Sequence, residues 1–308
     1  MQCIPSDTLQ EFVEKARPFS RKGTVPHYIP ALAKAEQTDL SVALYTKEGC
    51  VSAGDVSKRF TLQSVSKIIT LALAIDDLGR TKVFEKVGME PTGDPFNSIA
   101  KLENQTPSKP LNPMINAGAL TVTHLIQGMN NEEKLERILQ LVRKMANNDR
   151  ITVNEYVAKS EFETANLNRS LCYFLKEHKV IDGDIEELLN LYTNQCAIEL
   201  NCIDLAHIGY VLANDGINPY NGEIILSKDI TRIVTTFMVT CGMYNESGEF
   251  AIKVGIPAKS GVSGAVLSSI PEKMGIGVYG PALNEKGNSI AGVRLLQSLS
   301  NQLQLNIF

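Results

Sequence analysis

Ser64 and Lys67 stand three residues apart in the stretch Phe60–Gly79, FTLQSVSKIITLALAIDDLG, and Lys259-Ser260-Gly261 opens a second apolar stretch far downstream. A serine hydroxyl is a weak nucleophile until a neighbour takes its proton, and a lysine can do so once desolvation lowers its basicity. Acyl transfer is the chemistry such a pair supports, and Ser-x-x-Lys is one spacing in which it recurs. Taken alone, that spacing also arises by chance on surface helices. Here the surroundings are apolar: Val65, Ile68, Ile69, Leu71, Ala72, Leu73, Ala74 and Ile75 cover nearly the whole circumference, which predicts a buried central helix stopped by Gly79. Residues three apart share a helix face. Ser64 and Lys67 are therefore expected to point the same way from the first turn, where unpaired N–H groups favour developing negative charge.

Other elements must carry this helix. Residues 6–17 read as a helix with Ser6 and Asp7 as caps, followed by a loop through His27-Tyr28-Ile29-Pro30. Leu40–Tyr45 alternates as a strand and turns at Lys47-Glu48-Gly49 into a second around Val51. Residues 80–118, rich in Pro, Gly and Asn, read as a long loop passage. Helices are predicted from Ala117 and over 132–146, about 153–160, 168–178, 185–200, 203–213, 227–241 and 289–304. Ala251–Ile256, Val262–Ser269 and Met274–Tyr279 have period two and read as consecutive strands. An antiparallel sheet made from both chain ends, with a helical insertion between them, accommodates this order. The serine helix then sits at the junction, where clefts form.

Composition narrows the class. The 308 residues are 44% hydrophobic and 21% charged, the proportions of a soluble globular protein with a sizeable core. A net charge of −4 without a block of like charges argues against nucleic acid or membrane as partners. The six cysteines have no CxxC pair or zinc spacing and read as unpaired, mostly buried thiols of a reducing compartment. The four histidines lack ligand spacing, so neither a metal nor another cofactor is expected. No secretory signal or membrane-spanning run is visible, and the expected location is cytoplasmic.

Ser-x-x-Lys, a helical middle, then Lys-Ser-Gly on a strand is similar to the motif order of penicillin-binding proteins and class A β-lactamases, where the last element is Lys-Thr-Gly. The finer match is to the serine-dependent glutaminases of bacterial type. Leu62-Gln63-Ser64-Val65-Ser66-Lys67, Asn112-Pro113-Met114-Ile115-Asn116-Ala117-Gly118-Ala119, Cys241-Gly242-Met243-Tyr244 and Pro257-Ala258-Lys259-Ser260-Gly261-Val262 resemble that family in order, from about Tyr28 to the final helix. The NPMxNAGA block is highly specific to it. The resemblance implies an α+β, serine β-lactamase-like fold in one domain, 1–308. Residues 1–62 and about 225–308 form the sheet part, and about 63–224 an all-helical subdomain.

It further implies hydrolysis of the side-chain amide of L-glutamine to L-glutamate and ammonia through a γ-glutamyl ester on Ser64. Lys67 matches the group that takes the serine proton. Tyr192, which alone reads as a core-facing tyrosine, matches an active-site tyrosine that relays the proton, and Tyr244 a second. The N–H groups of Ser64 and Val262 match the oxyanion hole. Glu161 matches the acid that binds the substrate ammonium, Asn116 and Asn168 its amide ligands, Tyr28 the N-terminal tyrosine, and Gln63 the residue before the nucleophile. Around Asn168 the chain departs from the family, which usually reads Ser-Glu-Arg-x-x-Gly-Asp-Arg-Asn; here Ser160 to Asn168 is SEFETANLN, with the end residues at the same spacing. Lys259 either adds positive field to the site or anchors its strand. A homo-oligomer, dimer or tetramer, is also implied. The rival readings are a β-lactam or peptide hydrolase of the same fold and a catalytically silent glutamine-binding protein.

Overall fold

The computed structural model describes residues 4–95, 97–98 and 109–308. Helix α1, Ser6–Ala16, precedes the hairpin of β1, Ser41–Thr46, and β2, Gly49–Gly54. Then come β3, Phe60–Thr61, the central helix α2, Ser66–Leu78, and α3, Arg80–Lys86. The middle of the chain holds α4, Asn116–Leu125, α5, Asn131–Ala146, β4, Thr152–Val153, α6, Glu155–Thr164, α7, Asn166–Glu177, and α8, Ile185–Cys196. Strand β5, Ile198–Leu200, and α9, Cys202–Ala213, follow. The last part runs through α10, Lys228–Thr240, α11, Ser247–Lys253, β6, Ala258–Ser260, β7, Ala265–Ile270, β8, Met274–Tyr279, and α12, Ile290–Leu303.

The five-stranded sheet has the order β2-β1-β8-β7-β6, every pair antiparallel. Its centre joins the two chain ends, Ser41 opposite Tyr279 through Tyr45 opposite Gly275. Both faces are buried. Val42, Leu44, Val266, Ile276 and Val278 pack with α1 and α12, while Ala43, Tyr45 and Leu267 join the core containing α2 and α9. Strand β8 reads Met-Gly-Ile-Gly-Val-Tyr because α9 lies directly on its second face. A Cβ at Gly275 would fall 2.1 Å from Ala206 O, and one at Gly277 2.2 Å from Cys202 O. Only hydrogen side chains admit the helix at that distance.

The helical part between the sheet halves carries its own small antiparallel sheet, β3-β5-β4. It ends the predicted 185–200 helix at Cys196, because Ile198–Leu200 pairs with Phe60–Thr61 on one side and Thr152–Val153 on the other. Two further expectations give way. Ala251–Ile256 is not a strand: α11 runs to Lys253, and the strand falls on Ala258–Ser260. Phe250 and Val254, four apart, are both buried and Ile252 is 84% exposed, the burial pattern of a helix turn. Within the 80–118 passage, Arg80–Lys86 is helical, with Val83 and Val87 buried at helix spacing. The rest of that passage lies partly outside the described residues, as does Cys3. Cys172, Cys196, Cys202 and Cys241 are buried, and Cys50 is exposed. Among the described residues no helix is long and apolar enough to cross a membrane.

Candidate active site

The turn that bears Ser64 begins where β3 ends. Gln63–Val65 forms a single 3-10 turn feeding α2, and Gln63 has φ 47°, a left-handed conformation that a side chain adopts only under constraint. Two contacts impose it. Gln63 Nε2 donates to Glu161 Oε2 at 3.1 Å, and Ser66 Oγ donates to Gln63 O at 2.7 Å. From the other side presses the turn between β6 and β7. Ser263 Oγ donates to Thr61 O at 2.6 Å, and a Cβ on Gly261 would stand 2.6 Å from Leu62 O. That explains the glycine of Lys-Ser-Gly: it lets the two turns touch. Val262, expected on a strand, sits in this turn instead. Among the described residues, the N–H groups of Ser64 and Val262 have no backbone acceptor outside their own turns.

Lys67 is 1% exposed. Its Nζ donates to Asn116 Oδ1 at 2.7 Å and to Met114 O at 3.0 Å, and among the described residues no carboxylate is in contact. Burial pulls its pKa down to about 8, partly opposed by Cys196 and Glu161. Because Asn116 turns its oxygen to the lysine, its Nδ2 faces Asn168 and donates to Oδ1 at 2.9 Å. Asn168 thereby keeps its own NH2 for another partner. The block NPMINAGA thus supplies two acceptors for one buried lysine, one of them a main-chain carbonyl.

Tyr28, Gln63, Ser64, Asn116, Glu161, Asn168, Tyr192 and Val262 line one cavity of about 270 Å³. The structure brings together in that cavity eight of the residues singled out in the sequence. Tyr28, 57% exposed, sits at its mouth on a loop fastened by Ala31 N–H to Ser160 Oγ at 3.1 Å. Glu161, 7% exposed, has Gln63 as its one side-chain donor among the described residues, and burial pushes its pKa up to about 7. Tyr192 is fully buried in the wall, its pKa well raised by burial.

Lys67, Tyr244 and Lys259 are buried and are not among the lining residues. The Tyr244 hydroxyl donates to Ser260 O at 3.3 Å; burial pushes its pKa up, and Ser64 acts on it in the opposite sense. The Tyr244 backbone, φ 55°, is again left-handed. Lys259 Nζ donates to Ser260 O at 2.6 Å and Gly242 O at 3.2 Å, and lies 4.6 Å from the Tyr244 ring centre. Burial and the Lys67 charge hold its pKa well below the ordinary value. These hydrogen bonds tie the Gly242–Tyr244 turn to β6, the anchoring one of the two roles considered for Lys259.

Sequence reasoning missed Asn97, Thr164, Ala165, Leu167 and Cys196, which also line the cavity, and the Met114 carbonyl. Cys196 carried a signal, its position one helical turn after Tyr192; a carbonyl carries none.

An antiparallel sheet closed by both chain ends, a helical insertion, and a serine with a buried lysine at the start of the central helix define the class: a serine β-lactamase-like hydrolase fold. Within it the chain belongs to the glutaminase family, whose model matches residues 23–308. It is 62% identical to the glutaminase of Geobacillus thermodenitrificans over 309 residues, 100% of both chains. Among solved structures, a probable glutaminase from Bacillus subtilis complexed with 6-diazo-5-oxo-L-norleucine superposes with a TM-score of 0.91 at 39% identity, covering 100% of this chain and 98% of that one. A Bacillus subtilis glutaminase in covalent complex with 5-oxo-L-norleucine gives 0.89 at 38%, covering 99% and 100%.

Proposed function

We propose that this chain hydrolyses L-glutamine to L-glutamate and ammonia through a γ-glutamyl ester on Ser64. The observation that carries the reading is that one cavity holds both Ser64, one helical turn before the buried Lys67, and the buried carboxylate of Glu161. Ser64 Oγ bonds to the amide carbon while its proton passes to neutral Lys67. The Ser64 and Val262 N–H groups receive the developing oxyanion, and the helix start adds its dipole. Collapse breaks the C–N bond, and the proton held by Lys67 reaches the leaving nitrogen by way of the Tyr192 hydroxyl, giving ammonia. Water then attacks the ester, its proton returns by the same groups, and glutamate leaves. Tyr244, whose hydroxyl is fixed on Ser260 O, steadies the reacting amide or its water. At the far end Glu161 takes the α-ammonium, while the free NH2 of Asn168 and the phenol of Tyr28 take the α-carboxylate. A small α-amino acid with a side-chain amide satisfies both ends; the β-lactam nucleus carries a carboxylate but no α-ammonium for Glu161. A cytoplasmic homo-oligomer is the setting that the family resemblance and the buried thiols support.

The test is ammonia release from L-glutamine, with L-asparagine and a chromogenic β-lactam alongside, and mass-spectrometric mapping of the residue labelled by 6-diazo-5-oxo-L-norleucine. Label on Ser64 is expected. Label elsewhere, or β-lactam turnover without glutamine turnover, overturns the reading.

Glu161→Gln is expected to raise KM for glutamine by about 100-fold, the scale of losing a buried charge partner, with a much smaller change in kcat. The ammonium needs the ionised carboxylate. In the wild type KM should therefore fall as pH rises through about 7, where Glu161 loses its proton. The variant should lose that dependence; KM unchanged in the variant removes Glu161 from substrate binding.

A further inference from the structure

Tyr244 holds φ 55° without being glycine, a conformation that surrounding contacts must impose. Part of the constraint is internal to its turn: Met243 N donates to Ser247 Oγ at 3.1 Å, and Ser247 Oγ donates to Tyr244 O at 2.8 Å. The rest comes from the loop 283–289. There Asn288, fully buried, donates from Nδ2 both to Met243 O at 3.2 Å and to Glu246 Oε2. Asn284 Nδ2 donates to the same carboxylate at 2.9 and 3.0 Å. One loop thus holds the carbonyl before Tyr244 and the carboxylate beyond it. The loop is closed on itself, Asn284 N to Asn288 O at 2.8 Å and Asn288 N to Asn284 Oδ1 at 3.0 Å. It also meets the rest of the site: Leu283 packs with Tyr244 and Val262, and exchanges backbone hydrogen bonds of 2.9 Å with Thr24, on the segment leading to Tyr28. Asn288 Oδ1, by contrast, is buried with no hydrogen-bond partner among the described residues. A buried unpaired acceptor costs stability, and exchanging the ends of the amide would only set Oδ1 against a carbonyl and a carboxylate. An apolar side chain of that size would fill the space without the cost. What the position uses is the NH2.

We propose that Asn288 is a positioning residue for glutamine hydrolysis: its NH2 clamps Met243 O to the Glu246 carboxylate and so holds the left-handed turn that places the Tyr244 hydroxyl on Ser260 O, where it steadies the reacting amide or its water. A planar group with two donors suits this task, because it fixes the carbonyl and the carboxylate relative to each other. Without it the turn relaxes toward negative φ at Tyr244, the region open to any side chain, and the phenol leaves Ser260 O. Asn288 itself touches no reacting atom. The inference rests on the role given to Tyr244 above.

The test is a mutant cycle read in both kcat and KM. Asn288→Ala is expected to lower kcat about tenfold with KM within about twofold. Asn288→Asp keeps the shape but puts oxygen where the NH2 was, and should cost at least as much. Added to Tyr244→Phe, Asn288→Ala should cost less than about twofold more, because the hydroxyl it places is already gone. An alanine or aspartate variant with the wild-type kcat, losses that multiply in full, or a change carried by KM overturns the inference while leaving Tyr244 in its role. Tyr244→Phe at near-normal rate removes the tyrosine's role, and the inference with it. Should Asn288→Ala fail to fold, Glu246→Gln takes away the carboxylate that Asn288 and Asn284 hold, and must show the same non-additivity with Tyr244→Phe.

Discussion

Ser64→Ala should abolish ammonia release from L-glutamine, with kcat falling by at least about 10⁴-fold, roughly 5 kcal/mol of transition-state stabilisation. The size follows from what remains. The oxyanion donors and the Glu161 end of the cavity are intact, but the described lining offers no second nucleophile beside a base. Cys196 lines the same cavity, yet burial keeps it protonated and therefore a poor nucleophile. Water entering the vacated space lacks the fixed position that the turn Gln63–Val65 gives Ser64. Glutamine affinity, measured by calorimetry, should change little, since the groups assigned to the ammonium and carboxylate are untouched. Reaction with 6-diazo-5-oxo-L-norleucine should disappear together with turnover. Turnover surviving the substitution would keep the family and remove the serine mechanism; loss of binding together with turnover would mean that Ser64 shapes the cavity rather than reacts in it.

What could be read from the chain beforehand was whatever has a local period or a specific residue block. The central helix was legible because Val65 to Ile75 is apolar all round, and its burial follows from that alone. The junction of both chain ends was legible from element order, since strands at the two termini must bury their faces against something. The three-residue strands β5 and β6 were not: Ile198–Leu200 is too short to show period two, and only its pairing with Phe60–Thr61 distinguishes it from the end of a helix. Ala251–Ile256 misled because Ala251, Lys253, Val254 and Ile256 suit either period over so short a span; packing of Phe250 and Val254 decides for the helix. At the site, residue types revealed Ser64, Lys67 and, through the family blocks, Glu161 and Asn116. The acceptors of Lys67 were half hidden, since Met114 contributes its carbonyl and any residue has one. The left-handed backbone of Gln63 and Tyr244 was hidden for a related reason. Neither is glycine, and the constraint comes from contacts with Glu161, Ser66 and Ser260 far along the chain or across the turn.

Lys67→Met tests the other half of the pair, and its expected loss is about 10³-fold in kcat, within the range for removing a positioned proton acceptor. Unfolding should not account for it. Lowering a lysine from 10.5 to about 8 on folding costs roughly 3 kcal/mol at neutral pH, a cost that methionine escapes. The acceptors left behind, Met114 O and Asn116 Oδ1, cost a comparable amount, so the thermal midpoint should stay within a few degrees. The pH profile carries the sharper statement. In the wild type kcat/KM should rise as pH rises through about 8, because only unprotonated Lys67 accepts the serine proton. The variant should lose that limb and keep one belonging to Glu161, moved above its wild-type position of about 7, since the Lys67 charge that favoured the carboxylate is gone. The two groups interact, so the wild-type limbs belong to the pair, and the variant is what separates them. A Lys67→Met enzyme with the wild-type profile would show that the limb near 8 belongs elsewhere and that Lys67 is not the group that takes the serine proton.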